Sequence, residues 1–242
     1  MTNLPAGTQA WQSSELTANF LSTTRAALPL AAEQLDVMLY VIGHAVTDVN
    51  KILDLGAGSG MLSQVLLARY SEAHTWLVDY SDPMLESARA NFAPEQATVV
   101  KANLADPRWQ SNLNDVSAFD VVVSGYAIHH LPDARKRSLY AECFALLRPG
   151  GIFVNVEHIA SPTEWVESLF TEAFAENLYQ SERARGGTMS REAILERLYT
   201  DDGDICAPVE SQCSWLREIG FQDVDCYMKI YALAVFGGIK PA

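Results

Sequence analysis

The strongest constraint on what this chain can fold into is a rhythm that begins at Lys51. Five strand-like runs follow one another, KILDL, HTWLVDY, ATVVKAN, FDVVVSGY and GIFVNVEH. Helical periodicity over Met61–Arg69, Pro83–Asn91 and Asp133–Leu147 separates several of them. Alternating strands and helices build parallel sheets, because a parallel neighbour needs a long crossover to return the chain to the same edge. The first strands are apolar along most of their length, as in a sheet covered on both faces. Pro149-Gly150-Gly151 marks a tight connection into the fifth strand. Further on, Ser214–Ile219 reads as a short helix ended by Gly220, and FQDVDCYMKIYALAVFGG reads as two strands of a closing antiparallel hairpin. The consistent assembly is an α/β fold with a mixed sheet of seven strands.

Two segments break the rhythm. Before Lys51, residues 14–28 read as a helix with Leu16, Phe20 and Leu21 on one side. Pro29 interrupts, and Ala31–Gly43 reads as a second helix with Leu35, Met38, Leu39 and Ile42 in its apolar stripe. After the fifth strand, SPTEWVESLFTEAFAENLY is amphipathic, with Trp165, Leu169, Ala173 and Phe174 toward one side, and RARGG separates it from REAILERLY. An all-helical insertion at this place is expected to act as a substrate lid. The expected organisation is N-terminal helices covering a site over 1–48, a ligand-binding core over 49–159, the insertion over 160–208, and completion of the core with the hairpin over 209–242. The helices at 14–43 cover their own site or pair between two copies in a homodimer. Trp11, Phe20, Trp165, Phe174, Tyr179 and Tyr199 fall in the two atypical segments. Lid-to-core packing is favoured for most of them over lining a substrate pocket.

Composition narrows the partners. Of 242 residues, 49% are hydrophobic, enough for one domain with a full core. Lys and Arg number 17 against 30 Asp and Glu, a net charge of -13 that repels phosphate backbones. The densest basic run, Arg135-Lys136-Arg137, is flanked by Asp133 and Glu142, so nucleic acid is not an expected partner. Cys143, Cys206, Cys213 and Cys226 contain no CxxC and read as reduced thiols. The start MTNLPAGTQAW lacks the pattern of a secretory signal, and no run of about 18 apolar residues predicts a membrane span. The expectation is a soluble cytoplasmic protein.

Where the first strand ends, Asp54, Gly56, Gly58 and Gly60 form D-x-G-x-G-x-G. A loop without side chains at the carboxyl end of a parallel strand lets a ligand approach the backbone, and the next helix offers free N–H groups. The same pattern also serves a close helix–strand contact. Asp79 shifts the balance toward a ligand, because it ends TWLVDY nineteen residues after Gly60, where an acid can accept ribose hydroxyls. Capping the helix near Pro83 falls better to Ser81 or Asp82. Asn103, past the third strand, pairs with an adenine edge or makes an ordinary turn. Tyr80 and Met84 either sandwich an adenine or pack on the next helix. The dinucleotide fingerprint G-x-G-x-x-G is not met, since the third glycine comes one residue early. An acid two residues before the first glycine gives a pyrophosphate nothing, but it can pair with a positively charged amine.

With these residues in this order, the chain resembles the class I S-adenosylmethionine-dependent methyltransferases of small-molecule type. LDLGAGSG matches the family's glycine loop beside the methionine part of the cofactor, and Asp79 matches its ribose-binding acid. ANLAD matches the adenine-contact segment, with Asn103 where many members carry aspartate. FDVVVSGYAIHHLPD matches the fourth strand and its turn, and ECFALLRPGGIFVNVEH the approach to the fifth. The resemblance covers roughly residues 35–160 and, in outline, the hairpin. It implies a Rossmann-like fold and S-adenosyl-L-methionine as cofactor. The implied contacts come from Asp54, Gly56, Ala57, Gly58 and Gly60, from Asp79, Tyr80 and Met84, and from Asn103, Leu104 and Ser124. The implied reaction is methyl transfer to nitrogen or oxygen of a small molecule. The methyl carbon is already electrophilic, so the protein chiefly aligns acceptor, methyl and sulfur. No metal is required and no metal ligand is assigned, although a strand-end acid next to a histidine, as in Glu157-His158, is a pair that could suggest one. Arg25 is a candidate partner for a carboxylate of cofactor or substrate. In relatives that make a carboxylated S-adenosylmethionine for tRNA modification, it would neutralise the added charge.

Ser124–His130 lie beside the expected methyl position, with Ser124 and Gly125 against the cofactor and Tyr126 as a wall. His129 and His130 are the acid–base candidates, because neutral imidazole accepts a proton near neutral pH. A histidine here also serves to cap the helix near Pro132 or to bond a buried backbone group. His129 is preferred, since Ile128 and Leu131 anchor the turn on the other side. Glu157 is placed to orient an acceptor amine, to polarise a histidine, or to neutralise the helix start near Ser161-Pro162. Three other readings compete. Action on tRNA or protein is one, and the former needs Arg183, Arg185, Arg191 and Arg197 to converge with Lys240. A regulator that binds the nucleoside and catalyses nothing is another. A dehydrogenase is the weakest, because the glycine spacing is wrong.

Overall fold

A computed structural model of the chain describes residues 28–114, 116–200 and 203–242. The helix expected over 14–28 lies almost wholly outside the described residues, and Trp11, Phe20 and Arg25 lie outside them altogether.

The chain alternates as its apolar rhythm requires. Helix α1 (Ala31–Ala45) leads into β1 (Lys51–Leu55), α2 (Met61–Arg69), β2 (His74–Asp79), α3 (Asp82–Asn91) and β3 (Ala97–Lys101). After a 3-10 turn at Trp109–Leu113 come β4 (Phe119–Gly125), a second such turn at Ile128–His130, α4 (Asp133–Leu146) and β5 (Leu147–His158). Helices α5 (Glu164–Ala184), α6 (Arg191–Thr200) and α7 (Val209–Ile219) precede the hairpin of β6 (Gln222–Ile230) and β7 (Leu233–Ile239). The seven strands form one sheet in the order β3-β2-β1-β4-β5-β7-β6. Strands β1 to β5 are parallel, and β7 runs antiparallel between β5 and β6.

Alternation along each strand divides the core in two. Leu53, Leu55, Val122 and Phe153 join Leu139 and Tyr140 of α4 and Leu216 of α7 on one face. Ile52, Val121, Val123 and Val154 join Met38 and Ile42 of α1 and Leu62 and Leu66 of α2 on the other. β4 is buried along its whole length. Asp120 fastens its start to β1 by accepting the N–H groups of Asn50 and Lys51, each at 2.8 Å. The strand order reverses between β1 and β4, and such a reversal opens a crevice at the strands' carboxyl ends.

Several borders differ from the sequence reading. Helix α4 stops at Leu146, because Leu147 already pairs with Phe119. Pro149-Gly150-Gly151 is therefore inside β5, where a register shift between Phe119 and Val121 absorbs it. Helix α7 starts at Val209, earlier than Ser214, and buries Val209, Cys213 and Leu216. The largest difference lies in α5. Thr163 caps it, accepting the Val166 N–H at 3.3 Å, but Ala175 is its one buried residue. Trp165 is 73% exposed, Leu169 48% and Tyr199 of α6 60%, so these three neither pack on the core nor line a pocket with the cleft.

Candidate active site

The three glycines after β1 are required for three different reasons. Gly56 has φ 64°, and a Cβ there would collide with the Cβ of Ala127, so the loop lies flat against the turn that follows β4. Gly58 has φ 57° and donates its N–H to Asp79 Oδ2 at 2.8 Å. Gly60 heads α2 with φ 86°, and a Cβ there would strike the Phe92 ring. The first two therefore line the crevice, whereas Gly60 serves the helix packing behind it. Asp54, 1% exposed, also stands behind: its Oδ2 accepts the Ser63 hydroxyl at 2.8 Å and the Ser63 N–H at 3.2 Å, anchoring α2 to β1.

The crevice is a cleft of about 880 Å³, counted out to open solvent. Asp79, Tyr80 and Met84 line one part of it with Gly56, Ala57 and Gly58. Asp79 Oδ1 accepts the Ser81 N–H at 2.8 Å. Burial pushes its carboxyl pKa up, and the amides of Ser81, Gly58 and Tyr80 offset only part of that. Asn103 and Leu104 also line the cleft. Asn103 Oδ1 accepts the Ala105 N–H at 2.9 Å, so it both makes the turn and faces the cleft. The Leu104 carbonyl accepts Arg135 Nε at 2.7 Å, and Arg135 is clamped by Glu142 at 2.7 and 2.8 Å. Ser124 does not reach the cleft: its hydroxyl donates to the Leu55 carbonyl at 2.8 Å and ties β4 to β1.

The far part of the cleft is walled by Gly125, Tyr126, Ala127, His130 and Leu131. Tyr126 holds φ 55°, and its phenol donates to Gln34 Oε1 of α1. Gln34, 2% exposed, donates in turn to the Pro29 carbonyl at 2.8 Å. Nothing in the sequence reading singled out Gln34, because a glutamine within an apolar stripe carries no periodic signal.

His129 and Glu157 lie behind this wall as a buried pair, 7% and 1% exposed. His129 Nδ1 donates to Glu157 Oε1 at 2.5 Å. Glu157 also accepts the N–H groups of Ile128 at 2.9 Å, His129 at 3.1 Å and His158 at 2.8 Å. Burial alone would lower the His129 pKa, but the Glu157 carboxylate, joined by Asp204, outweighs it and holds the imidazole up to about 10. Burial pushes Glu157 up, and the charge and hydrogen bond of His129, with the His158 N–H, together more than reverse this. With no ion bound, His129 is thus a charged strut with both ring nitrogens facing carboxylates, an arrangement that does not suit a base at neutral pH. Of the three predicted catalytic groups, His130 alone lines the cleft.

Asp204, on the stretch between α6 and α7, was not anticipated either. Its Oδ1 lies 3.4 Å from His129 Nε2 and 3.3 Å from His130 Nδ1, and its Oδ2 lies 3.1 Å from His158 Nδ1. His129, His130 and Asp204 are close enough together to hold an ion, as are His158, Asp204 and Cys206.

The basic run at Arg135-Lys136-Arg137 is spent internally. Arg135 pairs with Glu142, Lys136 with Asp133 at 2.7 Å and Arg137 with Glu218 at 2.6 Å. Lys240 donates to the Leu147 carbonyl at 2.7 Å, at the opposite end of β5 from the root of the insertion, and Arg191 is held by Glu176 at 3.2 Å. Among the described residues, no helix is long and apolar enough to cross a membrane.

Comparison with known proteins agrees with this geometry. Residues 52–151 match the family model described as a methyltransferase domain. The chain is 23% identical over 219 residues to a carboxy-S-adenosyl-L-methionine synthase of Shewanella amazonensis, covering 89% of this chain and 86% of that protein. It is 30% identical over 116 residues to a demethylmenaquinone methyltransferase of Leptospira interrogans, covering 48% and 45%. Among solved structures, an O-methyltransferase family protein from Burkholderia thailandensis superposes with a TM-score of 0.61 at 16% identity. That match covers 86% of this chain but 56% of the other, so the chain spans little over half of that protein. The glycine loop, the acid at the end of β2, the seven-stranded sheet and the matched stretch converge: residues 52–151 resemble a methyltransferase domain, and the chain has the Rossmann-like fold of the class I methyltransferases.

Proposed function

We propose that the chain moves the methyl group of S-adenosylmethionine to a nitrogen or oxygen of a small-molecule acceptor. The observation that carries this reading is one continuous cleft with Asp79 and the Gly58 amide at one part and Tyr126 and His130 at another. The residues fit the cofactor: Gly56 and Gly58 hold backbone where side chains would intrude, and Asp79 offers a carboxylate to ribose hydroxyls. When bound, the sulfonium supplies a methyl carbon already activated for transfer. We assign Asn103 and Leu104 to the adenine side, with Tyr80 and Met84 bracketing the base. Tyr126 and His130 border the acceptor, and His129 and Glu157 position the turn that carries them. Orientation supplies most of what such a reaction needs from a protein. Arg25, outside the described residues, keeps its candidate role toward a carboxylate.

Isothermal titration of the dialysed protein with S-adenosylmethionine and with NAD tests the reading. Saturable binding of the first, lost in Asp79→Ala, and none of the second is the expected result. A screen with methyl-labelled cofactor then identifies the acceptor. Folded protein that binds no S-adenosylmethionine and carries no retained nucleoside by mass spectrometry would overturn it.

A second reading has a specific support. Proteins named carboxy-S-adenosyl-L-methionine synthase align with 79–98% of the chain in four separate species, whereas the demethylmenaquinone methyltransferase aligns with 48%. Mass spectrometry of nucleoside released from the denatured protein separates the two. A carboxylated cofactor favours the second reading, and plain S-adenosylmethionine or its demethylated product favours the first.

A further inference from the structure

We propose that His129, His130 and Asp204 form a binding site for a divalent transition-metal ion of the zinc class, with Glu157 orienting His129 from behind. His129 Nε2 and His130 Nδ1 both face Asp204 Oδ1, and the three residues each offer one ligand atom within 4.8 Å of the others. The two nitrogens stand 3.4 and 3.3 Å from the carboxylate oxygen. Charge-assisted N–H···O bonds close to about 2.7–2.9 Å. Zinc bonds of about 2.0–2.1 Å in a tetrahedron set ligand atoms about 3.3 Å apart. The observed spacing therefore fits the edges of a coordination shell better than direct pairing.

The surroundings are those of a prepared site. A histidine that ligates through one nitrogen usually donates the other N–H to a carboxylate, which fixes its tautomer and ring plane. His129 Nδ1 does this to Glu157 at 2.5 Å. Glu157 is itself held in place by the backbone N–H groups of Ile128 and His129 on its other oxygen. The stretch that brings Asp204 is pinned on both sides. Ile205 donates its N–H to the His129 carbonyl at 2.8 Å, the buried Lys136 ammonium donates to the Ile205 carbonyl, and Ala160 donates to the Ala207 carbonyl at 3.1 Å. Two imidazoles and one carboxylate suit zinc and its neighbours, whereas magnesium and calcium prefer oxygen alone. His158 Nδ1 lies 3.1 Å from the second oxygen of Asp204, with Cys206 close by.

Three protein ligands leave one position open, the pattern of reactive zinc sites. His130 belongs both to this triad and to the cleft wall, so the ion would sit in the acceptor side of the cleft. It would also clasp the stretch after the helical insertion to the turn after β4. This departs from the sequence reading, which assigned no metal ligand and did not single out Asp204.

The full-length protein, stripped with a chelator and returned to metal-free buffer, is titrated with Zn²⁺ by calorimetry and with Co²⁺ by visible absorption. The expected result is one saturable Zn²⁺ site, Co²⁺ bands of tetrahedral intensity, and no comparable uptake of Mg²⁺. Asp204→Ala, a change at a partly exposed side chain, is expected to weaken Zn²⁺ at least tenfold (roughly, from the loss of one of three ligands) with an unchanged circular dichroism spectrum. Glu157→Gln is expected to weaken it by about 10- to 100-fold. Folded wild-type protein that takes up neither Zn²⁺ nor Co²⁺ would overturn the proposal, as would uptake that is unchanged in Asp204→Ala. No S-adenosylmethionine enters the titration, so its outcome is independent of methyl transfer.

Discussion

Asp79 shows how one side chain can trade stability for binding. Its carboxyl is held above the usual aspartate range by burial, so keeping it ionised at neutral pH costs folding free energy. That cost lifts as pH falls through the raised pKa. Ribose hydroxyls, in contrast, need the ionised form as acceptor. Cofactor affinity is therefore expected to fall on acidification at a higher pH than an ordinary aspartate would give, which calorimetric titration across the acid range measures. Asp79→Asn, whose NH2 must face either the Gly58 or the Ser81 N–H, is expected to bind S-adenosylmethionine about ten- to a hundredfold more weakly, since hydrogen bonds to a charged group contribute about 1.5–3 kcal/mol. Gly56 makes a different test. Its φ of 64° costs a residue with a Cβ about 1–2 kcal/mol, before any collision with Ala127. Gly56→Ala is expected to lower the thermal midpoint, and adding Ala127→Gly should recover the part due to collision but not the part due to backbone. Full recovery would show that the backbone term is absent.

At the scale of elements, much was legible because periodicity reports what can be buried. Met61–Arg69 has the bounds its apolar spacing predicts, and Gly220, with φ 117°, ends α7 as expected. The glycine loop and Asp79 were readable for the same reason, since strand ends and glycine spacing are local features. Pro149-Gly150-Gly151 lies where β5 itself carries the extra residues between Leu147, paired with Phe119, and Ile152, paired with Val121, so the cluster marks an irregularity within the strand and not its start. The stripe of α5 misled because amphipathicity does not say what covers it. Asp204 and Gln34 were illegible for a further reason: their roles come from contacts across long stretches of sequence. The 203–207 stretch gives a prediction of its own. Lys136, 1% exposed, holds the Ile205 carbonyl and Asp133, and removing it leaves that carbonyl without its charged donor. Lys136→Met is expected to destabilise the fold by about 1–3 kcal/mol and to make the stretch before α7 a site of limited proteolysis. Equal midpoints and equal cleavage patterns would count against this anchoring role.

For the whole molecule, the excess of acid matters more than any local cation. The net charge is -13, and each member of the densest basic run is already paired with an acid on the same domain. The thiols report on the integrity of the fold. Burial pushes the Cys213 thiol up to about 12, and Cys143 is fully buried. Because the thiolate is the reactive form, iodoacetamide near pH 8 is expected to label neither cysteine appreciably in the native protein and both after denaturation. Rapid native labelling of Cys143 would mean that α4 separates from the sheet.

Gln34 joins two parts of the molecule with different jobs. One end of its amide receives the Tyr126 phenol from the cleft, and the other reaches the Pro29 carbonyl where the chain enters the domain. The Tyr126 part of the cleft is thus tied through Gln34 to the chain before Ala31, while the Asp79 part rests on the ends of β1, β2 and β3, and on the proposed function these are the acceptor and nucleoside sides. Acceptor choice can then be retuned by exchanging that leading polypeptide, as a lens is changed on a fixed mount, and chimeras carrying foreign leading segments should differ in which acceptors they take while sharing one affinity for the cofactor.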